Sequence, residues 1–187
     1  MLKHKGTVPL HTERLLLRPY TPQDAEAMFK NWANDERVSR YLTWPPHGTL
    51  DVTKALLDEW CPHYSEPSYY NWTITLDDTP IGSVSVVHLS EKNEHCEIGY
   101  CLGYDYWQRG IMTEAVRAVI AFLFKEVGFN RVCILHAVKN PASGRVAQKC
   151  GLTYEGTARE YFKASWGEFL DIANYGITKA EWVKQNT

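Results

Sequence analysis

Six consecutive residues, Gln108-Arg109-Gly110-Ile111-Met112-Thr113, join a polar, glycine-containing turn to an apolar-periodic segment. A helix starting there presents unpaired N–H groups and a partial positive charge, which together make an anion site suited to phosphate. Gly110 leaves room for a pyrophosphate to approach the backbone, and Arg109 adds a charged donor at the mouth. The same residues also fit an ordinary strand-to-helix connection. They form neither a P-loop, since no Gly-Lys-Ser/Thr follows, nor a Gly-x-Gly-x-x-Gly motif. Cys101, seven residues upstream of Gln108, is a nucleophile by type but has no paired base near it in sequence. Asn140 before Pro141 is an N-cap at N1-Pro spacing. The cysteines, Cys61, Cys96, Cys101, Cys133 and Cys150, are odd in number and include no Cys-x-x-Cys pair. They predict neither a disulfide framework nor a zinc site, only buried free thiols in a reducing compartment. His88 and His95 bracket a hairpin and His136 lies in a strand; no metal or Ser–His spacing links them, so surface or satisfied core roles are expected.

The elements that must position these groups can be read in order. TERLLLRPY alternates around Leu15 and Leu17 as a strand ending at Pro19. Thr21-Pro22 opens a helix with an apolar stripe of Ala25, Met28, Phe29 and Trp32, and Thr49 or Asp51 opens a second carrying Leu50, Ala55, Leu56, Leu57 and Trp60. Residues 69–76, 81–89 and 95–103 read as strands linked by the short turns DDTP and SEKNE, which favours an antiparallel meander. Met112, Ala115, Val116, Val119, Ile120, Leu123, Phe124 and Val127 recur at helical spacing up to Gly128, a left-handed C-cap. Residues 131–138 then read as a strand that a crossover of this length could make parallel to its predecessor. A helix over 141–150 stops at Gly151, and two strands follow around a turn at Ser165 to Gly167. Helices packed on a mixed sheet result.

Composition removes several function classes. The 187 residues fit one domain, and 44% hydrophobic residues can fill a sizeable core. A formal charge of −2 with interspersed signs argues against direct nucleic-acid binding. No apolar run approaches the roughly 20 residues that span a bilayer, and Leu15 to Leu17 is too short for a signal-peptide core, so a cytoplasmic protein without membrane contact is expected.

EIGYCLGYDYWQRGIMTEA, followed about thirty residues later by NPASGRVAQKCGLTYEG, closely resembles the GNAT superfamily of N-acetyltransferases, in particular its Rim-type branch of ribosomal-protein N-terminal acetyltransferases. TERLLLRPYTPQDAEAMF resembles that branch's opening strand and helix, YLTWPP its following loop and DIANYGI its last strand. The resemblance implies one α+β domain over residues 1–187, with a core of about 12–179 and a mixed central sheet of about seven strands flanked by about four helices. It implies acetyl-CoA as cosubstrate, no metal, and a pyrophosphate held by Gln108, Arg109, Gly110, Ile111, Met112 and Thr113. The strands containing Glu97 to Leu102 and Ile134 to Val138 should splay to admit pantetheine like an added strand, bonded by backbone groups of Cys101 and Leu102. The Leu102 amide becomes the donor to the thioester oxygen.

The same resemblance implies direct transfer to an amine, with Glu97 as base and Glu160 as a second candidate. Many superfamily members carry a tyrosine where this chain has Ala147, so Ser143 is the candidate donor to the departing sulfur, with Asn140 bonding the pantetheine amide. The favoured acceptor is a protein N-terminal α-amine. Its pKa lies near 7.7–8.0 against about 10.4 for lysine, so presenting lysine neutral at pH 7 costs roughly 3 to 4 kcal/mol more. A small-molecule amine and a non-catalytic acetyl-CoA-binding module are the alternatives. Oligomeric state is left open, a homodimer among the options.

Overall fold

The computed structural model describes residues Met1–Thr187. All eight strands join one sheet in the order β1-β2-β3-β4-β5-β6-β8-β7. In chain order they are β1 (Leu10–His11), β2 (Leu15–Arg18), β3 (Asn71–Leu76), β4 (Thr79–Ser90), β5 (His95–Leu102), β6 (Arg131–Ala137), β7 (Thr153–Lys163) and β8 (Phe169–Thr178). Every pairing is antiparallel except β5 with β6, the two strands joined by a helical crossover. The helices are α1 (Ala25–Met28), α2 (Glu36–Ser39), α3 (Leu50–Trp60), α4 (Ile111–Phe122), α5 (Pro141–Lys149) and α6 (Lys179–Gln185). This is the expected α+β architecture, with one two-residue edge strand and two short helices, α2 and α6, beyond the sequence reading. No helix is long and apolar enough to cross a membrane.

The larger core lies between one sheet face and α4. Ile111, Ala115, Val116, Val119 and Ile120 pack there against Leu17, Trp72, Ile74, Cys96 and Ile98. Alternation along β5 puts Cys96, Ile98 and Leu102 into that core and leaves Glu97, Gly99 and Cys101 for the other face. On that other face α1 and α3 build a second cluster around Tyr20, Met28, Trp32 and Leu57, with Cys101 packed against it. Glu97, Gly99 and Cys101 therefore look into the space between the sheet and α1–α3.

α1 is fixed at its start by an ion pair. A 3₁₀ turn, Pro22–Asp24, precedes it, and buried Asp24 accepts both Arg18 guanidinium nitrogens, Nη1 at 2.8 Å and Nη2 at 2.7 Å, and the Thr21 N–H at 2.8 Å. Burial alone would raise the Asp24 pKa; the bonds from Arg18 and Thr21 outweigh it and hold the carboxyl below its usual range. Asp24→Ala leaves Arg18 half-buried with the Pro19 carbonyl but no counter-charge and should destabilise the fold by about 3 kcal/mol. Because the folded pKa is depressed, the wild-type advantage is present above the ordinary carboxylate range and fades as pH falls through the folded pKa. Denaturant melts of both proteins at neutral and acid pH check this; a gap that stays constant with pH would contradict it.

Candidate active site

The turn before α4 has the backbone of an anion cradle. Gly110 is its N-cap with φ at 75°, and Gln108 at 62° is also left-handed. The first bonded amide is that of Glu114, which donates to the Gly110 carbonyl at 3.1 Å. The N–H groups from Gln108 to Thr113 thus have no acceptor within the chain. Gln108, Arg109 and Gly110 are exposed, while Ile111 and Met112 anchor the turn in the core.

The β1–β2 turn, distant in sequence, holds it. Arg14 Nη1 donates to the Arg109 carbonyl at 3.1 Å, and Arg14 Nη2 pairs with Glu114 at 2.6 Å. Glu114 also accepts the Thr12 hydroxyl at 2.6 Å and the Arg14 N–H at 3.0 Å. Burial works to raise the Glu114 pKa, but these donors prevail and keep it low, so the clamp is ionised at neutral pH. No sequence spacing announces a contact across about a hundred residues; a carboxylate in the first turn of α4 was the only sign of it.

β5 and β6 pair only through His95, Cys96 and Glu97 against Arg131, Val132 and Cys133. Beyond Glu97 the two strands part, as the family resemblance anticipates. Gly103 donates to Ile81 at 2.8 Å, and the register pairs Ser83 with Cys101 and Gly82 with Leu102. The alternation of an antiparallel ladder then turns the backbone of Gly103 and Cys101 toward β4 and that of Tyr100 and Leu102 toward the opening. This corrects the expectation for Cys101: the edge groups facing the gap belong to Leu102, as expected, and to Tyr100. The Leu102 carbonyl is taken by Trp107 Nε1 at 2.7 Å, which ties the phosphate-type turn to the strand end and leaves the Leu102 N–H facing the gap. A chain of amide-containing ligand with a pyrophosphate at one end fits this combination of bare strand edge and bare helix start.

The gap opens into a cleft of about 1010 Å³. Glu97, Gly99 and Cys101 form part of its floor, Asn140 and Ser143 approach from α5, and Trp44, Pro45 and Pro46 wall it from the loop before α3. An extra residue, Val87, bulges from β4 between Val86 and His88. A Cβ on Gly99 would lie 3.0 Å from the side chain of exposed Val87, which would have to give by a few tenths of an ångström to admit it. Burial raises the Glu97 pKa, His88 opposing it, which makes this carboxylate more basic than a surface one. Burial also pushes the Cys101 thiol up to about 12, so it stays protonated at neutral pH and is a poor nucleophile.

Asn140 caps α5, its side-chain oxygen accepting the Ser143 N–H at 3.4 Å. Ser143 Oγ lies 2.9 Å from the hydroxyl of Tyr100, which also reaches the Ser143 carbonyl at 3.0 Å. Sequence reasoning missed Tyr100, 43 residues away; its only sign was a polar residue on the core-facing side of an apolar strand. Burial holds Tyr100 well above the ordinary tyrosine pKa, so it remains a neutral donor. Ala147 is fully buried and supplies no hydroxyl. Glu160 sits on a bulge at φ 49°, its N–H bonded to Asp171 and its side chain exposed, while its neighbours Tyr161 and Phe162 line the cleft. Of the two carboxylates considered, Glu97 alone lines it. His136 departs from the expected satisfied state: Nδ1 donates to the Ala137 carbonyl at 2.8 Å, and buried Nε2 has no partner. No cluster of His, Cys, Asp and Glu has the makings of a metal site.

Comparison with known proteins bears on this geometry. Residues 14–153 match a family described as an acetyltransferase (GNAT) domain. An N-acetyltransferase of Bacillus subtilis strain 168 named YoaA is 32% identical over 172 residues, covering 91% of this chain and 96% of the relative. The [ribosomal protein uS5]-alanine N-acetyltransferase of Escherichia coli strain K12 is 23% identical over 195 residues, covering 97% and 98%. Among solved structures, RimL, described as a ribosomal L7/L12 alpha-N-protein acetyltransferase in complex with coenzyme A, superposes with a TM-score of 0.83 at 20% identity. It covers 91% of this chain and 98% of that one, a likeness of fold.

Proposed function

This chain belongs to the GNAT family of acetyltransferases, and from that premise we propose that it transfers acetyl directly from acetyl-CoA to the α-amine of a protein N-terminus. The observation that carries the reading is continuity. The bare amides at Gln108 to Thr113, the open edge of β5 and the cleft holding Glu97 follow one another along a single path. The relative that acts on the alanine of ribosomal protein uS5 supports an α-amine acceptor.

Acetyl-CoA supplies an acetyl group activated as a thioester. The amides of Gln108 through Thr113, with Arg109, bind its pyrophosphate, and the Tyr100 and Leu102 edge orients the pantetheine. Asn140, while capping α5, keeps its amide nitrogen for the same arm. The Leu102 N–H donates to the carbonyl oxygen as that oxygen gains charge. Glu97 accepts the proton that the acceptor ammonium must lose for its neutral amine to attack, directly or through one water, and its raised proton affinity suits an α-amine better than a lysine. Ser143 Oγ–H donates to the departing sulfur. Tyr100 acts through Ser143 as a positioning residue: when its single proton turns from the Ser143 carbonyl to Ser143 Oγ, 2.9 Å away, the serine proton is released to point at the sulfur.

Acetyl-CoA with a peptide library and a panel of small amines tests the function. Acetylation at peptide α-amines is the expected outcome; turnover of small amines alone, or stabilisation by acetyl-CoA without any turnover, would replace it. Tyr100→Phe should lower kcat roughly tenfold at unchanged KM for acetyl-CoA, less than the roughly 10²-fold or more of a direct proton donor because Tyr100 acts through Ser143. Combined with Ser143→Ala it should add almost nothing, since the two act as one unit. Full additivity in that double-mutant cycle would separate Tyr100 from Ser143.

A further inference from the structure

The acceptor half of the cleft carries a readable chemistry. Its walls are aromatic, with Trp32, Trp44, Trp60, Tyr69, Tyr161 and Phe162 among them. The charged residues of the lining are two carboxylates, Glu97 on the floor and Glu59 at the exposed end of α3; no lysine or arginine contributes. His47, also in the wall, has its pKa lowered by burial and is neutral at pH 7. Outside the lining, Arg40 lies 5.6 Å over the ring of Tyr41, itself part of the wall, and Lys139 pairs with Glu168. Tyr161, 67% exposed, and Trp166, whose ring lies 6.4 Å from that of Tyr41, carry the apolar surface onto the β7–β8 hairpin.

From this lining we infer that the acceptor is an amine whose neighbouring groups are apolar and uncharged: an N-terminus followed by apolar side chains, with its first carbonyl in amide linkage. The inference rests on the transferase reading above and names the acceptor class within it. Three physical reasons lead there. An ammonium entering the cleft meets two carboxylates and several aromatic faces, all attractive to a cation. A carboxylate or phosphate close to the amine would lose its hydration without gaining a counter-cation and would face Glu59 and Glu97 at like sign. An apolar second side chain gains burial against the aromatic wall, and a further apolar residue can reach the hairpin patch at Tyr161. Free amino acids, acidic N-termini and nucleotide-bearing amines are excluded by charge, whereas an aromatic amine and a peptide share the recognised chemistry.

Steady-state kinetics with acetyl-CoA decide it, using Ala-Phe amide, Ala-Asp amide, Ala-Phe with a free carboxylate, and phenethylamine as acceptors. Ala-Phe amide should exceed both Ala-Asp amide and free Ala-Phe at least tenfold in kcat/KM, the scale set by one unpaired charge in a poorly hydrated pocket. Glu59→Lys should narrow the gap between the free acid and the amide by several-fold, because it puts a cation at the mouth without altering the floor. Equal rates for the four acceptors, or a preference for Ala-Asp amide, would overturn the acceptor class while leaving the transferase reading intact. Phenethylamine outrunning every peptide would support the apolar class and remove the protein N-terminus. Turnover of none of them, with acetyl-CoA still stabilising the protein, would overturn both.

Discussion

Glu97→Gln should leave the affinity for acetyl-CoA unchanged and lower turnover by about 10²-fold or more near neutral pH, the usual scale of general-base assistance. Two features of the fold sharpen that expectation. Glu97 is the cleft carboxylate that sits on a strand, with Gly99 beside it and Val87 over Gly99, so glutamine can occupy the same position with little rearrangement. Its raised pKa means that burial disfavours the charged form. The defect should shrink as pH rises, since the acceptor then arrives neutral; a group that only positions the acceptor would leave a deficit parallel to wild type across the range. Stability should move the other way. A carboxyl whose folded pKa is raised binds protons more tightly folded than unfolded, so its charging destabilises the fold as pH climbs from the ordinary carboxylate range through the raised value. Glutamine avoids that, and the variant should melt no lower than wild type at pH 7, with any gain vanishing in acid. A pH–rate profile with a peptide acceptor, read beside thermal melts, tests both halves. Parallel profiles would strip Glu97 of the base role, and a melting temperature several degrees below wild type at pH 7 would contradict the account of its burial.

At Gly110 the expected loss is in cofactor binding. Gly110→Val must either hold a β-branched residue at φ 75°, at a cost of about 1–2 kcal/mol, or let the turn relax. Relaxation re-aims the amides of Gln108 to Thr113, and losing several charge-assisted bonds to a pyrophosphate should weaken coenzyme A binding by about 10²-fold or more. Gly110→Asn separates the two causes. Asparagine tolerates the left-handed region, and a Cβ here would meet Arg14 Nη2 no closer than 3.7 Å, so the protein should fold with nearly wild-type stability. Its side chain nevertheless stands where a phosphate must approach, and coenzyme A affinity should still fall tenfold or more. Calorimetric titration of both variants measures this. Wild-type affinity in Gly110→Asn would show that only the backbone conformation matters, and wild-type affinity in folded Gly110→Val would disconnect the turn from the cofactor.

Strong local periodicity made α3, α4, α5 and the β3–β5 meander legible, because each carries enough apolar residues to reveal its period. β1 has two residues and α2 four, too few for any period. α6 did carry a signal, the reciprocal Thr178–Glu181 cap, but it lies directly after the alternating run of β8 and reads as that strand's end. Within the site, the Gln108–Thr113 turn was visible because helix starts are local events. Tyr100 beside Ser143, Arg14 on the Arg109 carbonyl and Val87 over Gly99 each join residues brought together only by the sheet. The backbone direction of Cys101 depended on which β4 residue it faces, and a register set across a hairpin with a bulge has no one-dimensional trace.

The parting of β5 from β6 has a mechanical side. Eight residue pairs join β4 to β5 and seven join β6 to β8, but three join β5 to β6, so the sheet is two plates, of five strands and three, stitched along a short seam. α4, the crossover between them, lies across one side of that seam like a splint. If acetyl-CoA lies in the unstitched part as proposed, it would lengthen the seam and stiffen the floor on which the acceptor is held. Glu97 stands at the last stitch, where the plates are still fixed to each other, and Ser143 is carried by the far plate. In the proposed mechanism the distance between Glu97 as proton acceptor and Ser143 as proton donor would be governed by how far the seam is closed.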